Sequence, residues 1–207
     1  MLHTDSEFAA RVEQAVVEIE EQTDAELVVV ATPRSGSYPD APLFMGIIAG
    51  MVMLLLVLFA PVSVHPVMVP VEVALAGALT WFLSRGSPPV VRTFTTKTRR
   101  QRQVTAAARA AFVEEAVYGT RNRTGILIYV SALEDRVIVL PDSGLAARIP
   151  GGEWNALRWG DQSHPSAPGD LDHFIDGLQA VGVILARHVP PTDDNPNELP
   201  DAPRVRS

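Results

Sequence analysis

Eighteen consecutive residues, LFMGIIAGMVMLLLVLFA at 43–60, carry no charge. As a helix at 1.5 Å per residue they span roughly 27 Å, about the thickness of a hydrocarbon core. No other feature limits the chain so strongly, because the helix of a soluble core rarely runs this long without a polar face. The stretch follows an amphipathic segment and lies too far from the N-terminus to read as a signal peptide. It predicts a transmembrane helix.

The flanking sequence predicts a second one. PVSVHPVMVP places three prolines in ten residues and reads as a tight connection. VEVALAGALTWFLS, 71–84, then returns across the membrane, with Trp81 as an interfacial anchor. Glu72 follows Pro70 in the first helical turn, where an acid complements the helix N-terminus near the headgroups; that reading is simpler than an intramembrane proton site. Gly46 and Gly50 form a GxxxG pair, and Ala74 and Ala78 offer small residues opposite, so the two helices are expected to pack on each other. The same surface is compatible with a homodimer or with another membrane protein. Two spans offer almost no polar lining, which fits a channel or transporter badly.

Charge orients the hairpin. The net charge is −7, yet no acid occurs between Glu72 and Glu114, while Arg85, Arg92, Lys97, Arg99, Arg100, Arg102 and Arg109 fall in that interval. A basic block directly after a span is the signature of the cytoplasmic side. Residues 1–42, with nine acids and two arginines, are then on that side too. Contact with anionic headgroups accounts for the block without nucleic acid. The expected location is the bacterial inner (plasma) membrane, with both termini cytoplasmic.

The remaining segments read as one α/β domain cut in two. Residues 4–23 form an amphipathic helix with a capping box at Thr4 and Glu7, and AELVVVAT, 25–32, is a buried strand. One helix and one strand cannot make a core. The rest follows the hairpin: a helix at 98–118 ended by Gly119, strands ILIYV and RVIVL joined by SALED, a short helix at 153–159, and an amphipathic helix at 170–188 stopped by Pro190 and Pro191. The strands are almost wholly apolar, so helices should cover both faces. The expected boundaries are 1–41 and 85–190 for the two parts of the α/β domain, 42–84 for the hairpin, and 191–207 for a flexible polar tail, extended or disordered.

TDAELVVV, then a membrane hairpin, then RNRTGILIYVSALEDRVIVLPDSGLAARIPGGEW resembles the TPM domain family. The family pattern falls on Thr23–Val30, on Thr124 through Val139, and on Asp142, Gly144 and Leu145. The stretch Asn197–Asp201, NELPD, is similar to the end of a bacterial subgroup with two spans inserted between the halves. The resemblance implies a three-layer α/β/α domain interrupted by a two-helix transmembrane hairpin. It also implies an association with assembly or modulation of membrane complexes, with weak phosphatase activity, and with a divalent cation such as Ca or Mg. Many members carry an aspartate-containing segment ahead of the first helix and display the domain outside the cytoplasm; here the sequence starts at the helix, and its charge pattern points inward.

Catalytic motifs are sparse. Cysteine is absent, which removes disulfides, thiolate nucleophiles and thiolate metal sites. There is no Walker A loop, no cysteine phosphatase loop and no HExxH helix. Asp142 stands at a strand end, where α/β sheets place sites; it is a metal candidate, or a polar turn residue with Gly144 supplying a left-handed conformation. Asp170, His173 and Asp176 share one face of the last helix and can together hold a divalent cation, or serve as its solvated side. Asp161 and His164 lie in a Gly/Pro/Ser-rich loop, and Trp154 and Trp159 read as packing residues. The function expected is a non-catalytic interaction, assembly or accessory module; a weak metal-dependent phosphatase is the alternative.

Overall fold

In a computed structural model the described residues are 6–59, 65–157, 159, 170–192 and 195–206. They divide into two units, one containing the residues up to Ser35 and from Gln101 on, the other Gly36–Arg100. Thr4, the first half of the expected capping box, lies outside the described residues.

The first unit is built on the strands β1 (Glu26–Thr32), β2 (Gly125–Ser131), β3 (Arg136–Pro141) and β4 (Arg204–Val205), in the order β3-β2-β1-β4. β1 and β2 run parallel in a seven-residue register from Glu26 opposite Gly125 to Thr32 opposite Ser131. β3 returns antiparallel to β2, as the SALED loop predicts, with Asp135 taking a positive φ of 57° in the turn. Side chains alternate across each strand, so apolar residues at every position fill both faces. Leu27, Val29, Ala31, Ile126 and Ile128 pack with Phe8, Val12 and Val16 of α1 (Ser6–Glu20) and with Phe174, Leu178 and Leu185 of α8 (Leu171–His188). Val28, Val30, Leu127 and Tyr129 meet Val104, Ala108 and Ala111 of α5 (Lys97–Glu114) on the other face. This is the three-layer α/β/α arrangement. Each fully buried Leu or Phe here contributes about 1.5–3 kcal/mol.

α1 and α8 approach closely because a Cβ at Gly182 would stand 2.8 Å from the Ile19 side chain. The same device seats Trp159, 3% exposed, against Gly177 and at 5.5 Å from the Phe174 ring. Trp159 is thus a core residue, and Trp154 packs partly buried beside the same cluster. Trp154 belongs to α7 (Gly151–Ala156), and α6 (Ser143–Arg148) precedes it.

Two expectations are corrected. α5 ends at Glu114, short of the expected Gly119, and Ala116 takes the left-handed conformation (φ 52°) after it. Val117–Gly119 then form a tight turn laid against the start of β2, so close that a Cβ at Gly125 would fall 2.1 Å from the Val117 carbonyl oxygen. The described residues of the polar tail, 191–192 and 195–206, are extended, as its composition suggests, but they are docked and not free. Asn195 donates to the Thr23 carbonyl at 3.1 Å, Leu199 N–H to the Glu26 carboxylate at 3.0 Å, and Arg204–Val205 pair with Val30 and Ala31 as the parallel edge strand. Arg206 reaches Glu114 and Glu115, each at 2.7 Å. Composition misses this because the tail is held by hydrogen bonds to the buried Thr23 and Glu26 and by ion pairs to Glu114 and Glu115 at the end of α5.

That docking buries acid against acid. The Glu20 carboxylate accepts the Leu27 N–H at 2.8 Å, and Asp201 of the tail hydrogen-bonds to it. Burial raises the Glu20 pKa to about 8; the Leu27 hydrogen bond opposes the shift, and Glu26 and Asp201 add to it. Burial also raises the Glu26 carboxyl, against the hydrogen bonds from Glu198 and Leu199.

The second unit is a helical hairpin with a short continuation. α2 (Asp40–Phe59) and α3 (Val69–Ser84) run antiparallel, and α4 (Pro88–Phe94) follows. A Cβ at Gly46 would meet the Gly77 carbonyl oxygen at 2.7 Å, and one at Gly50 would meet the Val73 oxygen at 3.4 Å. The glycine pair therefore does bring the backbones together, but its partners are Gly77 and Val73. Ala74 and Ala78 stand beside the seam and line an open groove. Phe44 stacks on Phe94 at 6.4 Å, and Arg99 pairs with Asp40 at 2.5 Å while covering the Tyr38 ring. α2 is long and apolar enough to cross a membrane.

A Gly125→Ala substitution is expected to cost about 1–3 kcal/mol by steric overlap with the backbone at Val117, whereas Gly119→Ala, with nothing within 4 Å of its Cβ, is expected to be near neutral. Denaturant melts of the two variants in detergent check the pair. Glu20 adds a pH signature. From about pH 4.5 to about 8 the folded chain keeps a proton that the unfolded chain has released, so stability falls as pH rises through that window. Thermal melts are expected to move downward between about pH 4.5 and 8, with a shallower slope in Glu20→Gln, which keeps an acceptor for Leu27.

Candidate functional site

The PDSG stretch closes β3 and opens α6. Asp142 is extended (φ −72°, ψ 170°) and is the N-cap of α6: its carboxylate accepts the Ser143 N–H at 2.6 Å, and its carbonyl accepts the Ala146 N–H at 2.8 Å. The other carboxylate oxygen is buried, has no hydrogen-bond partner among the described residues, and lies 3.7 Å from the Arg123 guanidinium. Arg123 has a positive φ of 56° and donates to the Tyr118 carbonyl at 3.0 Å.

Gly144 is not left-handed, which corrects the turn expected for it. It is glycine because the turn at 120–123 presses on it: a Cβ would stand 2.4 Å from the Asn122 oxygen and 2.6 Å from that of Arg123. PDSG is therefore a helix start under a backbone clamp. The sequence signals the close approach and the φ requirement identically, since both demand glycine.

At the start of α8, Asp170 lies outside the helix as its N-cap, accepting the His173 N–H at 3.0 Å and contacting His173 Nδ1 at 2.6 Å. Hydrogen bonding to Asp170 raises the His173 pKa, and hydrogen bonds from His173 lower that of Asp170. Both are solvent-exposed, as is Asp176, while Asp172 pairs with Arg11 at 2.8 Å. The i, i+3, i+6 spacing is real, but its first member serves as a cap. Among the described residues no three His, Asp or Glu converge as a ligand set. Asp161 and His164 lie outside the described residues.

Sequence reasoning missed a polar cluster at the carboxyl ends of β1 and β2, where sites in α/β sheets are commonly found. Ser131 Oγ contacts a Glu134 carboxylate oxygen at 2.5 Å and Ser35 Oγ at 2.7 Å; Ser35 Oγ also reaches the Tyr129 hydroxyl at 3.3 Å, and Ser35 N–H donates to both Glu134 oxygens at 3.1 Å. Ser131 and Glu134 are buried, and burial raises the Tyr129 hydroxyl pKa. Ala132 and Leu133 N–H donate to the Thr32 and Pro33 carbonyls. The cluster ties the SALED loop to the end of β1. Nothing in SALED separates a buried glutamate from a solvated one.

Of the basic residues that follow α3, Arg85, Lys97 and Arg102 are exposed, Arg92 is half-buried, and Arg99 is engaged with Asp40. Arg100 departs from the expectation: it is buried and donates to the Arg92 carbonyl at 2.9 Å, so it fastens α4 instead of facing outward. Arg85 lies over the Trp81 ring at 4.8 Å.

No protein-family model matches the chain, and no curated protein matches it. Among solved structures it is similar to the NMR structure of the BA42 protein from the psychrophilic bacterium Bizionia argentinensis, with a TM-score of 0.59 and 15% identity, covering 98% of this chain and 94% of that one. At that identity the likeness carries the α/β fold alone.

Proposed function

We propose that the chain is a membrane-anchored protein of the TPM type, in which α2 and α3 cross a bacterial inner membrane as a hairpin and the α/β domain serves as a non-catalytic module for a membrane complex. The observation that carries the membrane reading is the hairpin's surface. In α2 the buried residues are Ala41, Pro42, Gly46 and Gly50, and in α3 Ser84 alone. Leu56, Leu58, Phe59, Leu75, Leu79 and Leu83 are each between 58% and 82% exposed. Apolar side chains on every side of two packed helices make a continuous patch far larger than a soluble protein tolerates. A bilayer removes that cost, and helices satisfy their own backbone within it. α3 has 16 residues, roughly 24 Å of helix, so Trp81 and Arg85 at its end would lie at the headgroups, with arginine snorkelling outward. The basic residues after α3 favour the cytoplasmic side for both termini.

The TPM reading is supported by where the matching residues fall. Thr23–Val30 and Thr124–Val139 supply the central parallel pair and most of the return strand, and Thr23 Oγ1 holds the Val189 carbonyl at 2.5 Å. A module is preferred to a metal-dependent phosphatase because Asp142, the best-placed carboxylate, already caps α6 and faces Arg123.

The chain is expected to stay in the membrane through alkaline carbonate extraction; release into the supernatant would end the membrane reading. The absence of cysteine allows single-site labelling. In intact spheroplasts an impermeant maleimide should modify Val67→Cys at the hairpin tip and reach Gln179→Cys only after lysis, and the reverse pattern would invert the topology. Purified protein is expected to leave p-nitrophenyl phosphate at the background rate with Mg or Ca added. Hydrolysis that disappears in Asp142→Ala would overturn the module in favour of the phosphatase.

A further inference from the structure

The α2–α3 hairpin has a groove of about 450 Å³ along one side, lined by Leu43, Ile47 and Gly50 of α2 and by Ala74, Ala78 and Trp81 of α3. Small residues along the seam, Gly50, Ala74 and Ala78, leave the room for it. The volume is in the range of sites that take an extended small ligand. Its polar feature is at one end. Trp81 lines the groove, and the Arg85 guanidinium stands 4.8 Å above the Trp81 ring. Arg85 is exposed and has no carboxylate partner among the described residues, in contrast to Arg99, which is held by Asp40.

We infer that this groove binds one anionic phospholipid, its acyl chain lying between Leu43 and Ala78 and its phosphate held by Arg85. The inference rests on the membrane reading above and makes it specific: a stoichiometric site, beyond general attraction of a basic segment to the leaflet. An apolar slot asks for a hydrocarbon chain, and the cation at its mouth asks for a phosphate whose charge is not cancelled by a choline. A guanidinium is suited to this, since its planar donors bind two phosphate oxygens at once and its face stays on the indole. Arg92 and Lys97, in the same unit, add positive charge without any acid between Glu72 and Glu114. A second copy of the hairpin would also cover the groove, but it would bring an identical arginine toward Arg85 and leave both without a counter-ion.

Native mass spectrometry of the full chain, released from detergent with palmitoyl-oleoyl phosphatidylglycerol or phosphatidylcholine, tests this. One phosphatidylglycerol should be retained with about fivefold preference over phosphatidylcholine, the factor expected of one arginine beside an anionic headgroup. Arg85→Gln should erase the preference while the chain still resists carbonate extraction, and Ala78→Leu, which fills the groove, should reduce retention of both lipids. Equal retention of the two lipids, an unchanged preference in Arg85→Gln, or a lipid-free dimer lost in Ala78→Leu would each overturn the site. If the wild-type chain is extracted by carbonate, it is the membrane reading that falls.

Discussion

The parallel pairing of β1 with β2 is the constraint on which the rest depends. Every residue from Glu26 to Thr32 has a partner between Gly125 and Ser131, yet the residues between these strands, 33–124, number ninety-two. Parallel strands always need a crossover, but a dozen or more residues usually suffice. The additional length is cheap: closure entropy grows with the logarithm of loop length, so a roughly eightfold longer crossover costs about 2 kcal/mol. The insertion is also clasped near its own two ends, where Asp40 pairs with Arg99 across 59 residues of sequence. A sheet can therefore accept a helical hairpin in mid-crossover without losing its register.

Once that register is set, the two faces and their helices follow from side-chain alternation, and this part was legible in the sequence. ELVVV and ILIYV are apolar at every position, which a strand half-open to water would not be, and the helical stripes of 170–188 and the N-terminal helix supply the cover. What could not be read was how polar residues were used. The tail from Pro191 has the composition of a disordered segment, yet its Asn195, Arg204 and Arg206 each find a fixed acceptor and its backbone adds a strand. The pattern that predicts disorder counts missing apolar residues; it does not count hydrogen bonds offered by a sheet edge and by two glutamates at the end of α5.

For residues with chemical side chains the sequence leaves alternatives that only the local backbone separates. Asp142 and Asp170 are both at helix starts, each accepting a backbone N–H. A carboxylate at the end of a strand or the head of a helix carries the same one-letter signal whether it holds a metal or accepts from one of the helix's orphan N–H groups. Gly144 was legible as indispensable but not for its reason, since close backbone approach and left-handed φ select the same residue. Ser131 and Glu134 gave no signal, because their burial depends on Ser35, ninety-six and ninety-nine positions away.

The hairpin carries the opposite lesson, since there the small residues were read correctly as contact residues but paired one step off. Gly46 meets Gly77 because both lack a Cβ, which lets the two carbonyls come within reach of the opposing backbone. Pairing glycine with glycine gives the closest seam, and it displaces Ala74 and Ala78 to the side. What a tighter seam removes between the helices reappears as a groove along them, so the same choice of small residues that locks the hairpin also shapes its outer surface.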